Sequence, residues 1–262
     1  TPMLNTRISL KEDFIRLGIQ KGMVLTVHSS LSSIGWVCGG PVTVIQALMD
    51  AVTQEGAIVM PAHSGNYSDP SRWGNPPVPN EWLDAIRRTM PAFEKEITPT
   101  CGMGVISETF RNFPDVIRSS HPAMSFCAWG KYAQVITDNH SIDYSLGNNS
   151  PLARVYDLDG YVLLLGVGYD NNTSFHLSEY RAINSKNEKA GAPILVNGVR
   201  VWQEYDDIEM DSDVFEEMGK DFEKHSKSKT GYVGMAESRL FRQKLAVDFG
   251  QNWINNKRQN IK

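Results

Sequence analysis

The chain has 262 residues, 26 basic and 30 acidic side chains for a formal charge of −4 at neutral pH, and 41% hydrophobic residues. That mixture excludes a wholly disordered chain, a coiled coil and a collagen-like repeat, and the acidic balance argues against a nucleic-acid partner, which requires a basic face. The longest uncharged apolar run, around Tyr161–Gly168, falls far short of the ~20 residues that cross a bilayer, so no membrane partner is expected.

The N-terminal residues lack the basic-then-apolar order of a secretory signal, and Cys38, Cys101 and Cys127 stand in no CxxC pair. A cytoplasmic chain without disulfides is the expectation. In chain order, Ser9-Leu-Lys-Glu12 reads as a capping box opening a helix that ends at Gly18. Met23–His28 reads as a buried strand, Pro41 opens an amphipathic helix to about Val52, and Gly56–Ala62 reads as the next strand. This early alternation favours a largely parallel sheet covered by helices. From His63 to Asn80, Gly65, Pro70, Gly74, Pro76, Pro77 and Pro79 exclude a regular helix and leave a long loop of the kind that is usually functional or mobile. Helices are predicted over Glu81–Arg88 and Met103–Asn112, a strand near Ser125–Trp129, a helix from Ser150-Pro151 and a central strand at Tyr161–Gly168. A helix over Ser174–Ala182, two short strands around the Asn197-Gly198 turn and a final helix over Met235–Lys257 complete a single domain, residues 1–262. His176 and Glu179 form an HxxE, not the HExxH of zinc proteases, and no third ligand has obvious spacing, so no metal is expected.

Two segments carry chemistry. The first, His28-Ser-Ser-Leu-Ser-Ser-Ile-Gly35 with Gly39-Gly40, joins a buried strand to a helix start, where unpaired amides and the helix dipole receive anions. It lacks the Lys-Ser/Thr of a Walker loop and is not a dinucleotide fingerprint, so it stands between an anion receptor and a plain serine-rich turn. The second is Asn172-Thr-Ser-Phe-His176-Leu-Ser-Glu179. Three residues apart on one helix, His176 and Glu179 are neighbours, and the carboxylate can fix the imidazole tautomer of a general base. The alternative is a surface pair of little worth. His63, His140 and His225 read as loop or surface residues, and His121 as a structural or a site histidine. Glu204–Glu223 holds ten acidic residues and one lysine, either a solvated rim or a surface that draws in a polycation.

Taken together, six blocks resemble the aminoglycoside 3-N-acetyltransferase family. They are His28–Gly35 with Gly39-Gly40, Pro76–Pro79 with Trp82, Thr98–Gly104, Arg118–Pro122 with Ser125, Ser150-Pro151, and Asn172–Glu179. The resemblance implies a three-layer α/β/α sandwich with a central, largely parallel sheet and long active-site loops. It implies an enzyme that moves acetyl from acetyl-coenzyme A directly to the 3-amino group of a deoxystreptamine ring, the chemistry of antibiotic resistance, working as a monomer or homodimer. By position, Ser29, Ser30, Ser32, Ser33 and Gly35 would hold the coenzyme, with Thr98, Thr100, Gly102 and Met103 beside them. His176 would be the base, Glu179 its orienter and His28 a second active-site histidine, with loop amides or His28 as oxyanion donors. Tyr67, Asp206, Asp207 and Glu209 would face the cationic amino sugars. On this reading Glu179→Gln costs less than loss of His176. Competing readings are transfer to a different small amine, an acetyl-thioester on one of the cysteines, and a coenzyme A-binding protein without turnover.

Overall fold

The computed structural model describes residues 3–226 and 228–259. The first helix, α1 (Arg7–Leu17), begins ahead of Ser9. Thr6 is its N-cap, and Ser9 is the inner member of the box: its amide donates to Thr6 Oγ1 while its own Oγ accepts the Thr6 amide. Gly18 closes the helix at φ 116°, a left-handed position suited to glycine. Next come β1 (Val24–Ser29), the single turn α2 (Leu31–Ile34), α3 (Gly40–Val52) and β2 (Ala57–Pro61). The long loop leads to α4 (Leu83–Thr89) and α5 (Gly104–Arg111), then β3 (Ile117–Arg118), β4 (Phe126–Gly130), α6 (Ala133–Thr137) and α7 (Pro151–Asp157). After β5 (Tyr161–Leu165) and α8 (Ser174–Arg181), the predicted short hairpin is two ten-residue strands, β6 (Asn187–Val196) and β7 (Val199–Ile208), forming a sheet of their own.

The predicted final helix divides. After α9 (Phe215–His225), a second hairpin, β8 (Lys229–Val233) and β9 (Ala236–Arg242), precedes α10 (Gln243–Gln259). Ala236, Ser238 and Leu240 turn inward while Glu237 stays out, a period of two that overrides the helix-forming composition.

The main sheet has the order β3-β4-β2-β1-β5-β9-β8. Its centre, β2-β1-β5, is parallel, and each outer pairing is antiparallel, so β4 and β9 alone run against the rest. Both faces are covered. Leu25, Val27, Ile58, Met60, Leu163 and Leu165 meet α1, α3 and α5 on one side. On the other, Val24, Val59, Val162 and Leu164 meet α7 to α10. The result is a three-layer α/β/α sandwich with a mixed sheet, strands buried on both faces reading as near-continuous apolar runs. No helix among the described residues is long and apolar enough to cross a membrane.

Four of the six histidines lie inside: His28, His121 and His140 are buried, and His63 has a ring nitrogen sealed from solvent. His121 Nδ1 accepts the amides of Ala123 and Met124, so its proton is on Nε2, facing the Ile142 carbonyl at 3.2 Å. Burial holds His28 and His63 down to about 3, His140 to about 4, and His121 well below its ordinary value. Below pH 6.5 the unfolded chain therefore takes up protons that the folded chain refuses, and stability falls as pH falls. Each group contributes up to about 1.4 kcal/mol per pH unit over that window. Urea midpoints are expected to be steady above pH 7, with a loss of up to roughly 4–5 kcal/mol by pH 5.5; a flat profile to pH 5 would contradict the burial of these rings.

Candidate active site

The C-terminal ends of β1, β2 and β5 open on one edge of the sheet. From β1 the chain crosses to β2 on one side, while β5 flanks β1 on the other, so the loops part there, as they do at the ligand crevices of open α/β sheets. A cleft of about 210 Å³ lies at that point. β1 contributes His28 and Ser29, the loop into α5 contributes Gly102 and Met103, and the turn after β5 contributes Asp170 and Asn171. His176 comes from α8 and Ser212 from the segment after β7. Among the described residues, larger hollows such as one of about 310 Å³ on the opposite edge beside Lys229 and Phe241 are not lined by the His176–Glu179 pair.

His176 is oriented twice over. Its Nδ1 lies 2.6 Å from Glu179 Oε2, and its ring stands edge-on to Phe215 at 4.8 Å. Glu179 is only 3% exposed, and its other oxygen accepts the Asp211 amide at 2.8 Å. A carboxylate can only accept here, so Nδ1 carries the proton and Nε2 keeps its lone pair for the cleft. The bland alternative, an exposed surface pair, does not describe a carboxylate buried to this degree.

His28 lines the cleft, and its Nε2 is buried without a protein partner. His63, expected in a loop or on the surface, lies close by: His28 and His176 both oppose its protonation, and its own Nε2 is likewise buried and unpartnered. Spacing along the sequence carried no sign of this, because the neighbours of His63 come from other strands. His140, also expected in a loop or at the surface, lies in a loop but is buried between Ser119 Oγ and the Ser145 carbonyl.

Of the serine loop, Ser29 reaches the cleft. Ser30, Ser32 and Ser33 bond among themselves, Ser33 Oγ also reaching the Gly166 carbonyl at 2.9 Å, and Gly35 holds φ 87° at the end of the turn. Thr98 is buried, accepting the Glu94 amide, and the Thr100 amide donates to Glu108; these two brace the loop that presents Gly102 and Met103. Arg118 ties this loop down. Its guanidinium donates to the carbonyls of Ala62, Lys95 and Thr98 and to the hydroxyls of Ser64 and Ser125.

The acidic residues are arranged differently from the expectation. Asp207 turns inward, where Tyr180 and Ser145 donate to it. Asp206 pairs with Lys189 and Glu209 with Lys186, and Tyr67 stands against Phe93. None of the four lines the cleft; Asp170, Asn171 and Ser212 do. The polar run after the central strand was the available signal for Asp170 and Asn171. Asp211 had none, because its backbone, not its charge, takes part.

The sequence matches the family model described as aminoglycoside 3-N-acetyltransferase over residues 26–255. It is 52% identical over 264 residues to the SPbeta prophage-derived aminoglycoside N(3')-acetyltransferase-like protein YokD of Bacillus subtilis (strain 168), spanning 100% of this chain and 97% of that protein. The crystal structure of YokD superposes with a TM-score of 0.97 at 51% identity, covering 99% of this chain and 96% of that one. Aminoglycoside N(3)-acetyltransferase IX of Micromonospora chalcea is 34% identical, over 95% of this chain and 93% of that protein. The structure of AAC-IIIb binary with CoASH gives a TM-score of 0.87 at 28% identity, covering 97% and 98% of the two chains. With its sequence and its fold in agreement, the chain belongs to the aminoglycoside 3-N-acetyltransferase family.

Proposed function

We propose that the protein acetylates the 3-amino group of the deoxystreptamine ring of aminoglycosides, using acetyl-coenzyme A, in one direct step with His176 as general base. The observation that carries this is the His176–Glu179 pair at the cleft, with Nδ1 held by a buried carboxylate and Nε2 left free. Acetyl-coenzyme A supplies an activated thioester carbonyl. Gly102 fits such a ligand: at φ 74°, with no atom within 4 Å of where a Cβ would stand, its backbone is open to close approach. In this reading Ser29, Gly102 and Met103 meet the ligand, while Ser30, Ser32, Ser33, Gly35, Thr98 and Thr100 keep that wall in shape.

An ammonium group has no lone pair, so the amine must lose a proton before or during attack, and an imidazole of fixed tautomer is suited to accept it. His28, held neutral by burial, offers a hydrogen bond without repelling a cationic substrate. Asp170 is the carboxylate in the cleft itself. Tyr67, Asp206 and Glu209 remain outer contacts in the proposal: exposed ion pairs are worth about 0–1 kcal/mol, so a polycation can displace Lys189 and Lys186. Asp207 acts behind them by fixing Tyr180. Direct transfer is favoured over an acetyl-cysteine, since burial pushes the Cys127 thiol up to about 12 and neither Cys38 nor Cys101 lines the cleft.

Thiol release from acetyl-coenzyme A across a panel of aminoglycosides is the test. His176→Ala is expected to retain the fold and lose roughly 10²–10⁴ in turnover; a wild-type rate in that variant would remove His176 from the mechanism. Glu179→Gln is expected to fall nearly as far, contrary to the milder loss anticipated from the sequence. Both Glu179 oxygens accept an N–H, and a glutamine has one oxygen, so its NH₂ must oppose either the Asp211 amide or His176 Nδ1. The second arrangement imposes the wrong tautomer, which in a catalytic triad costs about 10⁴. A Glu179→Gln loss below about tenfold would contradict the double anchoring.

A further inference from the structure

The alternation of β1 turns Val24, Thr26 and His28 to the face that carries α7 and α8, and the facing residues of β2, Ala57 and Val59, lie on the same face. Met60 and Ala62 turn the other way. His63, next in the alternation, therefore comes to the His28 face, and its ring stands edge-on to Phe126 of that layer, 5.2 Å between centroids. Its backbone is held firmly. The Ala62 carbonyl accepts from Arg118 and Ser125, the His63 carbonyl accepts the Cys101 amide at 2.8 Å, and Ser64 Oγ donates to the Pro99 carbonyl.

Two neutral imidazoles thus stand at the ends of neighbouring strands, each with Nε2 buried and without a protein partner. An unsatisfied buried group of this kind costs about 1–3 kcal/mol, and protein interiors satisfy such groups with ordered water where the protein supplies no partner. We propose that His63 is a positioning residue of the active site: its Nε2 and that of His28 hold one ordered water between them, and this link fixes the tautomer and tilt of His28 at the cleft. One ring donates to the water and the other accepts from it, which two neutral rings can do and two charged rings cannot. His63 does not touch substrate; it acts through His28. The kinetic consequence rests on the acetyltransferase reading above, whereas the link itself does not.

The experiment compares wild type, His63→Leu and His63→Gln in the full chain, by thiol release, thermal melting and imidazole ¹⁵N NMR. Glutamine places an amide near the Nε2 position, and leucine removes the hydrogen bond. The expected result is about a tenfold or greater fall in kcat for His63→Leu, of the size that small misplacements of active-site groups produce. KM for acetyl-coenzyme A should be unchanged, and His63→Gln should recover activity to within about threefold of wild type. The His28 ring signals should change in His63→Leu and return in His63→Gln. Wild-type kcat in His63→Leu overturns the proposal, as does an equal loss in both variants that follows a shared drop in melting temperature. If wild type releases no thiol with any aminoglycoside, the acetyltransferase reading fails, and the NMR comparison still decides the link: unchanged His28 signals in His63→Leu overturn it.

Discussion

Arg118 is a buried cation whose five donated hydrogen bonds all go to carbonyl and hydroxyl oxygens. Burial lowers it to about 10, which still leaves it charged at neutral pH. A charge taken from water is tolerated only when its hydrogen-bonding capacity is filled, so each of those oxygens must stay where it is. The oxygens belong to three separate stretches: residues 62–64 at the end of β2, residues 95–98 before the Gly102 loop, and Ser125 at the entry to β4. The Phe93 ring lies under the guanidinium at 5.0 Å. One side chain therefore sets the separation between the strand ends and the loop that forms the far wall of the cleft. A lysine would carry the charge but not the planar fork that reaches three segments at once.

From that fixed frame the site is assembled in two electrostatic layers. Near the sheet are neutral imidazoles, His28 and His63, which burial and, to a lesser degree, the nearby His176 keep uncharged. Above them is His176, paired with a buried carboxylate and given access to the cleft. This division has a physical logic for an amine substrate. A cation arriving at a site with a protonated imidazole at its base would be repelled, whereas neutral rings offer lone pairs. Glu179, the buried carboxylate paired with His176, is placed to favour the charged form of that ring. Its second oxygen, bonded to the Asp211 amide, prevents it from swinging toward the incoming charge.

How much of this was legible beforehand follows from the range of each interaction. The parallel centre of the sheet read clearly because strands buried on both faces are unbroken apolar runs bounded by glycine and serine. His176 and Glu179 read as a pair because a helix brings residues three apart together. The β8–β9 hairpin was missed because Ala236–Arg242 runs straight into a genuine helix, and its two-residue period is short and mixed with charges. Thr6 was missed as the cap because Ser9 satisfies the same hydroxyl–amide pattern from the inner position. His63 and His140 lie in loops as read, but their burial was not legible because nothing within a few residues of either reveals that another strand or loop closes over it. Asp207 was misread for a related reason: in a run of acidic residues each one looks solvated, and its burial depends on Tyr180 and Ser145, 27 and 62 residues away.

The acidic segment illustrates how a surface feature becomes part of the chemistry without its charge. β7 carries the chain from the Asn197-Gly198 turn to Ile208, and from there it reaches Asp211, whose amide holds Glu179, and Ser212, which lines the cleft. The β6–β7 hairpin is tied to the frame at several points: the Phe93 amide donates to the Pro193 carbonyl, Arg72 pairs with Glu188, and Arg200 reaches the carbonyls of Arg87 and Met90. The orientation of His176 thus depends on a hairpin that also borders the outer loops, where relatives in a fold vary most. Changes there that suit a different amine must keep the path from Ile208 to Asp211 in register, because a shift of one residue would withdraw the amide from Glu179 and release His176. That constraint links the outer loops to the oriented His176–Glu179 pair at the cleft.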